Sequence, residues 1–423
     1  MSGTRVRTRR RLVAVVTALA LVVLSACGGG NDDAGGGSGS ADQADLTWQF
    51  WIGGTADQAA WQKVADQAKA DHPGITVKLE GASWENYWSK IGTTLASGKA
   101  PCIIGMQSLR LASYANAMLP LDDLMAKYNL KAEDFDKPIM DGLKSGGKQI
   151  AIPYDSGPMV IFYNRDLFKA AGIAEPKPGW TMAEFKAAAT KLTTGGKYGF
   201  VTTPGDLAFL PWVLTATGAQ PLKDNKLALT DQSFVDGYQQ YVDLVTKDKI
   251  APAVPAGGTD FETTNFTSGK AAMKLDGPWS VIDLKEKSKF SLGIAPVPAG
   301  PDGSKTYTAG SGFGISRSCK TPDAAFQAIV SMTSQKPLTE LAAAGRAYPS
   351  RPTAHDAWYT AADLQGARET IEYASQHSIP LVTSKNWVQA SDLLNDFGVQ
   401  ALNGELPADQ VLKNVQDQAG AGS

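Results

Sequence analysis

Apolar residues along the chain recur with two periods, and the alternation of those periods predicts the elements. Leu46-Thr-Trp-Gln-Phe-Trp51 places apolar side chains at every second position, the pattern of a strand. A turn at Gly53-Gly54 follows, and Thr55-Ala-Asp-Gln58 fits a capping box that opens a helix. Trp61, Val64, Ala65 and Ala68 then recur at helical spacing, until His72-Pro73-Gly74 ends the helix. Ile75–Leu79 reads as a second strand. Trp84, Trp88, Ile91 and Leu95 mark a second helix face, closed by Gly98, which requires at least one of the two tryptophans in the core. Cys102–Met106 is a third short strand. Strand, helix, strand, helix, strand implies parallel βαβ units and an α/β domain.

Further along, Gln149–Pro153 and Met159–Tyr163 are strand-like runs about a turn at Asp155–Pro158. Thr181-Met-Ala-Glu184 is another capping box, with Phe185, Ala188, Ala189 and Leu192 on one helix face. Residues 230–246 are helical in pattern, through Phe234, Tyr238, Tyr241, Val242 and Val245. A stretch rich in Pro and Gly runs from Ala295 to Gly314. Phe313–Ser316 then reads as a returning strand, and Thr321-Pro322 opens a helix that buries Phe326, Ile329 and Val330. The C-terminal third reads as mostly helical, and no solenoid repeat is present.

The first 44 residues follow a different pattern. Five arginines between Arg5 and Arg11 precede an uncharged apolar run, residues 12–24, as in a secretory signal. That run is too short for a membrane-spanning helix, which needs about 20 residues. It ends Leu24-Ser25-Ala26-Cys27, which resembles the lipobox of bacterial lipoproteins, where the cysteine is acylated. Residues 28–44 are rich in Gly, Ser and Asp with no large apolar residue, so a flexible tether is expected. The folded body is expected from Asp45.

Charge narrows the partners. The chain carries a formal −2, but without the five leader arginines its 40 basic residues fall to 35 against 42 acidic ones. A mildly acidic body with no basic cluster argues against nucleic acid. Ten Trp, 12 Tyr and 14 Phe among 423 residues suit a site that stacks on flat ligands, although cores also absorb them.

Signatures of catalysis are absent. His72, His355 and His377 are scattered, with no metal or triad spacing. There is no nucleophile elbow, phosphate loop or dinucleotide fingerprint, and Gly310-Ser-Gly-Phe-Gly314 lacks the Lys of a P-loop. Glycoside hydrolysis needs two carboxyls about 5–10 Å apart, and no such pair stands out. No cofactor and no metal are expected. After lipidation of Cys27 two cysteines remain, Cys102 and Cys319. An exported even pair suggests a disulfide, against the alternative of two free, buried thiols.

Several of these segments resemble the bacterial extracellular solute-binding proteins of carbohydrate ABC importers, the group that includes maltose-binding protein. The similarity runs over nearly all of 45–416. Its most specific part is Gly147-Lys-Gln-Ile-Ala-Ile-Pro-Tyr-Asp155 with Val160–Phe168. Further matches are Gly179–Phe185, Phe266-Thr-Ser-Gly-Lys-Ala-Ala-Met273 with Asp276-Gly-Pro-Trp279, Gly310–Ser316 and Trp387. The chain departs from the family's usual Pro-Asp-Val at Pro101-Cys102-Ile103. The resemblance implies an α/β fold of the two-lobed, periplasmic-binding-protein type (type II), with lobes hinged around a cleft. In that fold the returning strand lies antiparallel beside the strand that Cys102 opens, which supports its pairing with Cys319.

The expected organisation is a signal peptide over 1–26, a tether over 27–44, lobe 1 over 45–154 and 314–345, and lobe 2 over 155–313. A helical segment, 346–423, completes the lobes. The resemblance also implies a monomeric, non-enzymatic receptor anchored through Cys27, which binds a carbohydrate and hands it to membrane permease subunits. The alternatives are the same fold holding a polyol or other non-sugar solute, and an anchored carbohydrate-active enzyme.

Sugars present apolar faces to aromatics and hydroxyls to carboxylates, amides and guanidinium groups. Trp279 and Trp387 match stacking positions of the family, and Tyr154 and Asp155 sit on the first crossover turn. Asp276 lies three residues before Trp279. Trp51, Gln107 and Ser108 follow strand ends, where open α/β sheets bind ligands. Trp212 follows Pro211 in what reads as a loop of the second lobe. Ser311 and Arg351 complete the candidates.

Overall fold

The computed structural model describes residues 42–53, 55–257 and 260–420. The leader, Cys27 and the tether lie outside the described residues.

The first sheet has five strands, in the order Ile75–Ala82, Ala44–Trp51, Ile103–Gln107, Ser311–Ile315, Ala151–Pro153. The first three run parallel, joined by helices Thr55–Asp71 and Trp84–Ala96. Ile103–Gln107 is buried on both faces, which is why it reads as a continuous apolar run. Ile103 packs in a core with Trp48, Trp61, Phe313 and Phe326, while Ile104 faces the opposite core with Tyr87, Ile91 and Met106. The predicted helix face of Trp61, Val64, Ala65 and Ala68 is buried in the first of these. Its start differs from expectation. Helix Thr55–Asp71 begins at Thr55 itself, and the Asp57 carboxylate turns back to accept from the Gly53 N–H at 2.7 Å. In the next helix Tyr87 is the buried aromatic, whereas Trp84 is 40% exposed.

The strand Ser311–Ile315 returns from afar. It runs antiparallel to Ile103–Gln107, with Ser311 opposite Gln107 and Ile315 opposite Ile103. It starts at Ser311, earlier than the glycine-rich sequence suggests. Just beyond the ends of these paired strands, Cys102 and Cys319 form a disulfide with Cα atoms 4.6 Å apart.

A second sheet holds Val160–Asn164 between Met273–Asp276 and Leu292–Pro296, all antiparallel. Its side chains alternate between two cores. Val160 and Phe162 meet Val281, Trp358 and Ile371, while Ile161 and Tyr163 meet the large cluster around Phe185, Trp212 and Tyr241. The capping box at Thr181 forms as expected, with Glu184 and Thr181 exchanging bonds, and Phe185, Ala188, Ala189 and Leu192 are buried. The last two helices, Trp387–Leu402 and Ala408–Gly420, pack on this same cluster.

Three stretches of chain run side by side between the two sheets. Residues 153–158 leave the first sheet, and Thr306–Ala309 pairs antiparallel with Gly157–Pro158 on its way back. Arg346–Ser350 forms the third stretch. Ser350 N donates to Tyr154 O at 3.1 Å, and Ser156 N donates to Tyr348 O at 2.9 Å. Among the described residues no helix is long and apolar enough to cross a membrane.

Candidate ligand-binding site

A cavity of about 380 Å³ opens where these crossings meet the ends of the first sheet. That is within the usual size range of small-molecule sites. Trp51, Asp57, Trp61, Trp84 and Gln107 line it from the first-sheet side. Tyr154, Asp155, Ala309, Gly310 and Ser311 come from two crossings, Arg346 comes from the third, and Leu207 and Trp279 stand opposite.

Each wall is held by local packing. Trp51 stacks on Phe50 with centroids 4.3 Å apart, and meets Trp84 and Tyr87 edge-on at 5.2 Å. Gly105 makes this possible, since a Cβ there would come within 2.5 Å of Phe50 and 3.1 Å of Trp51. Tyr154 stacks on Phe313 at 5.0 Å and meets Trp61 edge-on at the same distance, and burial pushes its hydroxyl well above the ordinary pKa. Arg110 donates to Gln107 Oε1, and its guanidinium lies over Trp84 and Trp88, at 5.3 and 4.8 Å from the centroids. With its oxygen engaged, the Gln107 amide keeps its N–H groups for another acceptor.

The crossings fix the polar floor. Ser311 N–H donates to Asp155 Oδ1, and Tyr154 N–H donates to Ser311 O at 3.0 Å. Burial pushes the Asp155 carboxyl up to about 7, against the pull of backbone N–H donors. Trp279 follows Gly277-Pro278. A Cβ on Gly277 would stand 2.2 Å from the Trp279 ring, and one on Gly157 would stand 2.7 Å from Pro278, so two glycines seat this tryptophan. Among the described residues no group of three or more His, Cys, Asp or Glu is arranged to hold a metal. The arrangement offers flat aromatic faces around a few fixed hydrogen-bonding groups, which suits binding.

The description "bacterial extracellular solute-binding protein" matches this chain over residues 33–337. The chain belongs to that family. Solved structures agree in fold. An ABC substrate-binding protein of Listeria monocytogenes, in complex with cycloalternan, superposes with a TM-score of 0.80 at 21% identity, covering 90% of this chain and 99% of that one. The GacH receptor of Streptomyces glaucescens, solved unliganded and with acarbose, gives 0.75 at 24% identity, covering 89% and 98%. Among curated relatives, the arabinooligosaccharide-binding protein of Bacillus subtilis is 24% identical over 276 residues, 63% of each chain. The chain spans 62% or 63% of the length of such curated relatives.

In this solute-binding protein the cavity brings together six of the sequence-derived candidates: Trp51, Gln107, Tyr154, Asp155, Trp279 and Ser311. Five others lie elsewhere. Ser108 is 2% exposed; its N–H donates to Gly310 O at 2.9 Å and its side chain packs towards Gly142. Asp276 pairs with buried Lys274 at 2.7 Å and accepts from Gly277 N–H. Arg351 donates to Thr333 O at 2.7 Å, lies over Phe135 and pairs with Asp134. Trp212 is not in a loop. It sits inside helix Asp206–Thr217, 1% exposed, packed between Phe185, Phe200 and Tyr241, because Pro211 is accommodated within that helix. Trp387 is fully buried, and its Nε1 donates to Asp206 Oδ2 at 3.0 Å.

Sequence reading missed Asp57, Trp61, Trp84, Leu207, Ala309, Gly310 and Arg346 as cavity residues. Trp61 was legible as core, and it serves as both. Trp84 carried a signal in its crowded helix face, where Ile91 and Leu95 already supply the core. Arg346 and Leu207 carried none, since only the chain crossings bring them to the cleft.

Proposed function

We propose that the chain is the extracytoplasmic substrate-binding component of an ABC importer, that it binds a carbohydrate by closing the cleft, and that it delivers it to permease subunits without altering it. The observation that carries this reading is the aromatic cavity at the hinge crossings, with Trp51, Trp61, Trp84 and Trp279 around Gln107, Tyr154, Asp155 and Ser311. A pyranose offers two apolar faces and an equatorial rim of hydroxyls, and this lining offers the complement. A ligand that touches walls from both sides favours the closed form and shifts the population towards it. The cycloalternan, acarbose and arabinooligosaccharide named for relatives support an oligosaccharide as cargo. Lobe 1 over 45–154 and the returning chain, and lobe 2 over the segment between the crossings, are the moving bodies of this reading. The lipid on Cys27 and the tether hold the receptor near its permease.

A thermal-shift screen of the purified chain against sugars, polyols and amino acids tests the assignment. A true ligand stabilises the fold by about 2.7 kcal/mol at a hundredfold excess over Kd. One sugar that raises Tm and is recovered unchanged supports the receptor. Consumption of the sugar refutes it in favour of an enzyme, and a shift by non-sugars alone refutes the carbohydrate. Cys27→Ser releasing the protein from membranes is the expected result for the anchor.

A further inference from the structure

The cavity wall contains a carboxyl that no cation among the described residues pairs with. Asp155 is 8% exposed and borders the cavity, and its Oδ1 accepts the Ser311 N–H. Among the described residues no Lys, Arg or His nitrogen lies within 4.0 Å of it. The neighbouring elements supply little charge. The crossing Ala309–Ser311 and the turn at Trp279 contribute none, and Tyr154 carries a hydroxyl held neutral by burial. Helix Thr55–Asp71 contributes Asp57, and the third crossing contributes Arg346, but these two face each other at 3.9 Å. The cavity lining therefore holds two carboxyls and one guanidinium, and the guanidinium pairs with Asp57 at 3.9 Å, not with Asp155.

Burial alone drives the Asp155 carboxyl up to about 7. The charged form is poorly solvated at this buried position, and a partner of opposite charge relieves that cost. A neutral hydroxyl that donates to such a group offsets part of that cost, whereas an ammonium adds the opposite charge to the hydrogen bond. The surroundings favour the same partner. Rings of Trp51, Trp61, Trp84, Tyr154 and Trp279 share the cavity with Asp155, and aromatic faces beside a carboxylate attract cations through the ring quadrupole.

We propose that the cargo of this cleft is an amine-bearing sugar whose protonated amine is held by Asp155. The proposal rests on the carbohydrate reading above and narrows it. The aromatic rings cover the apolar faces of the sugar, and Gln107 and Ser311 are placed to meet its hydroxyls.

Isothermal titration of the full chain at pH 7 with matched probes tests the idea. Suitable pairs are 6-amino-6-deoxyglucose against glucose, glucosamine against glucose, galactosamine against galactose, and mannosamine against mannose. The expected result is a pair in which the amine binds at least tenfold tighter than its hydroxyl parent, with that ratio falling to about one in Asp155→Asn. Asparagine keeps an acceptor for the Ser311 N–H, and the variant's melting curve checks its fold. Hydroxyl parents that bind as tightly as the amines, or tighter, overturn the proposal and leave the carbohydrate reading standing. A preference for the amine that survives D155N overturns the assignment to Asp155. No binding by either member of any pair overturns the proposal, while the carbohydrate reading stands or falls on the wider sugar screen above.

Discussion

A methyl group on Gly277 would stand 2.2–2.3 Å from three carbons of the Trp279 indole. The backbone there, at φ −102 and ψ 167, accepts any L residue, and the ring is the nearest obstacle. To reach an ordinary contact of 3.4 Å the two must separate by about 1.2 Å, the difference between 3.4 and 2.2. Overpacking of this kind costs about 1–3 kcal/mol. Where that cost falls depends on which way the ring can yield. Trp279 is only half-buried and borders the cavity, so it yields into the cleft. The folded state then loses little, while a ligand must push the ring back or bind without it. Gly277→Ala is therefore expected to raise Kd by about 5- to 150-fold, the equivalent of 1–3 kcal/mol, with a small change in Tm. Titration calorimetry with the sugar found by screening, on G277A, Trp279→Ala and the double variant, measures this. The double variant is expected to be no worse than W279A, because the glycine acts only through the ring. Wild-type affinity in G277A, or additive losses in the double variant, refutes the reasoning.

Three more outcomes follow from the structure. Trp212→Ala and Trp387→Ala each remove a fully buried indole, so a loss of about 3–5 kcal/mol of stability is expected; urea unfolding checks it, and Trp279→Ala is expected to show the reverse pattern of weak binding with a near-normal midpoint. The Cys102–Cys319 bridge closes a loop of 217 residues, which in the chain-entropy account is worth about 5 kcal/mol, so reductant or the Cys102→Ser/Cys319→Ser pair should lower the unfolding free energy from urea titration by about that much, and an unchanged value would contradict it. For Asp155 the folded carboxyl titrates near 7 against an ordinary 3.8, so the folded state keeps a proton that the unfolded chain has released. That contribution is full below about pH 4 and is lost as pH rises to 7, an effect of about 4 kcal/mol; stability of wild type minus D155N, followed from pH 4 to 8, should fall over that window, and a flat difference counts against the burial argument.

Much of the fold was legible because local chemistry and tertiary packing agree. Thr181 and Glu184 form the capping box their spacing implies, and the face of Phe185, Ala188, Ala189 and Leu192 is the face that is buried. The strand at Ile103 could be read because burial on both sides demands an unbroken apolar run. Where the reading slipped, a second signal had competed with the first. Thr55 looked like a cap, but Asp57 performs the backbone contact at that turn, from inside the helix. Pro211 looked like a helix breaker, yet it lies within a helix whose residues from Ala208 to Ala216 are all buried.

The site was harder to read, and its tryptophans show why. Trp212, Trp279 and Trp387 are chemically identical, and each follows a segment that suggests a turn or a helix start. What separates them is their packing. Trp212 meets Phe185, Phe200 and Tyr241, which come from distant segments, and Trp387 finds its hydrogen-bond acceptor in Asp206, 181 residues away. No local pattern encodes those meetings. Trp279 differs in a way that was written locally. It stands two residues after Gly277, and the missing side chain there is what lets the indole lie flat against the backbone beside the cavity. Gly105 does the same for Trp51 from the neighbouring strand. A tryptophan seated on glycine is held from below by backbone and keeps a face for something else. Trp212, enclosed by Phe185, Phe200 and Tyr241, has spent its faces on the core.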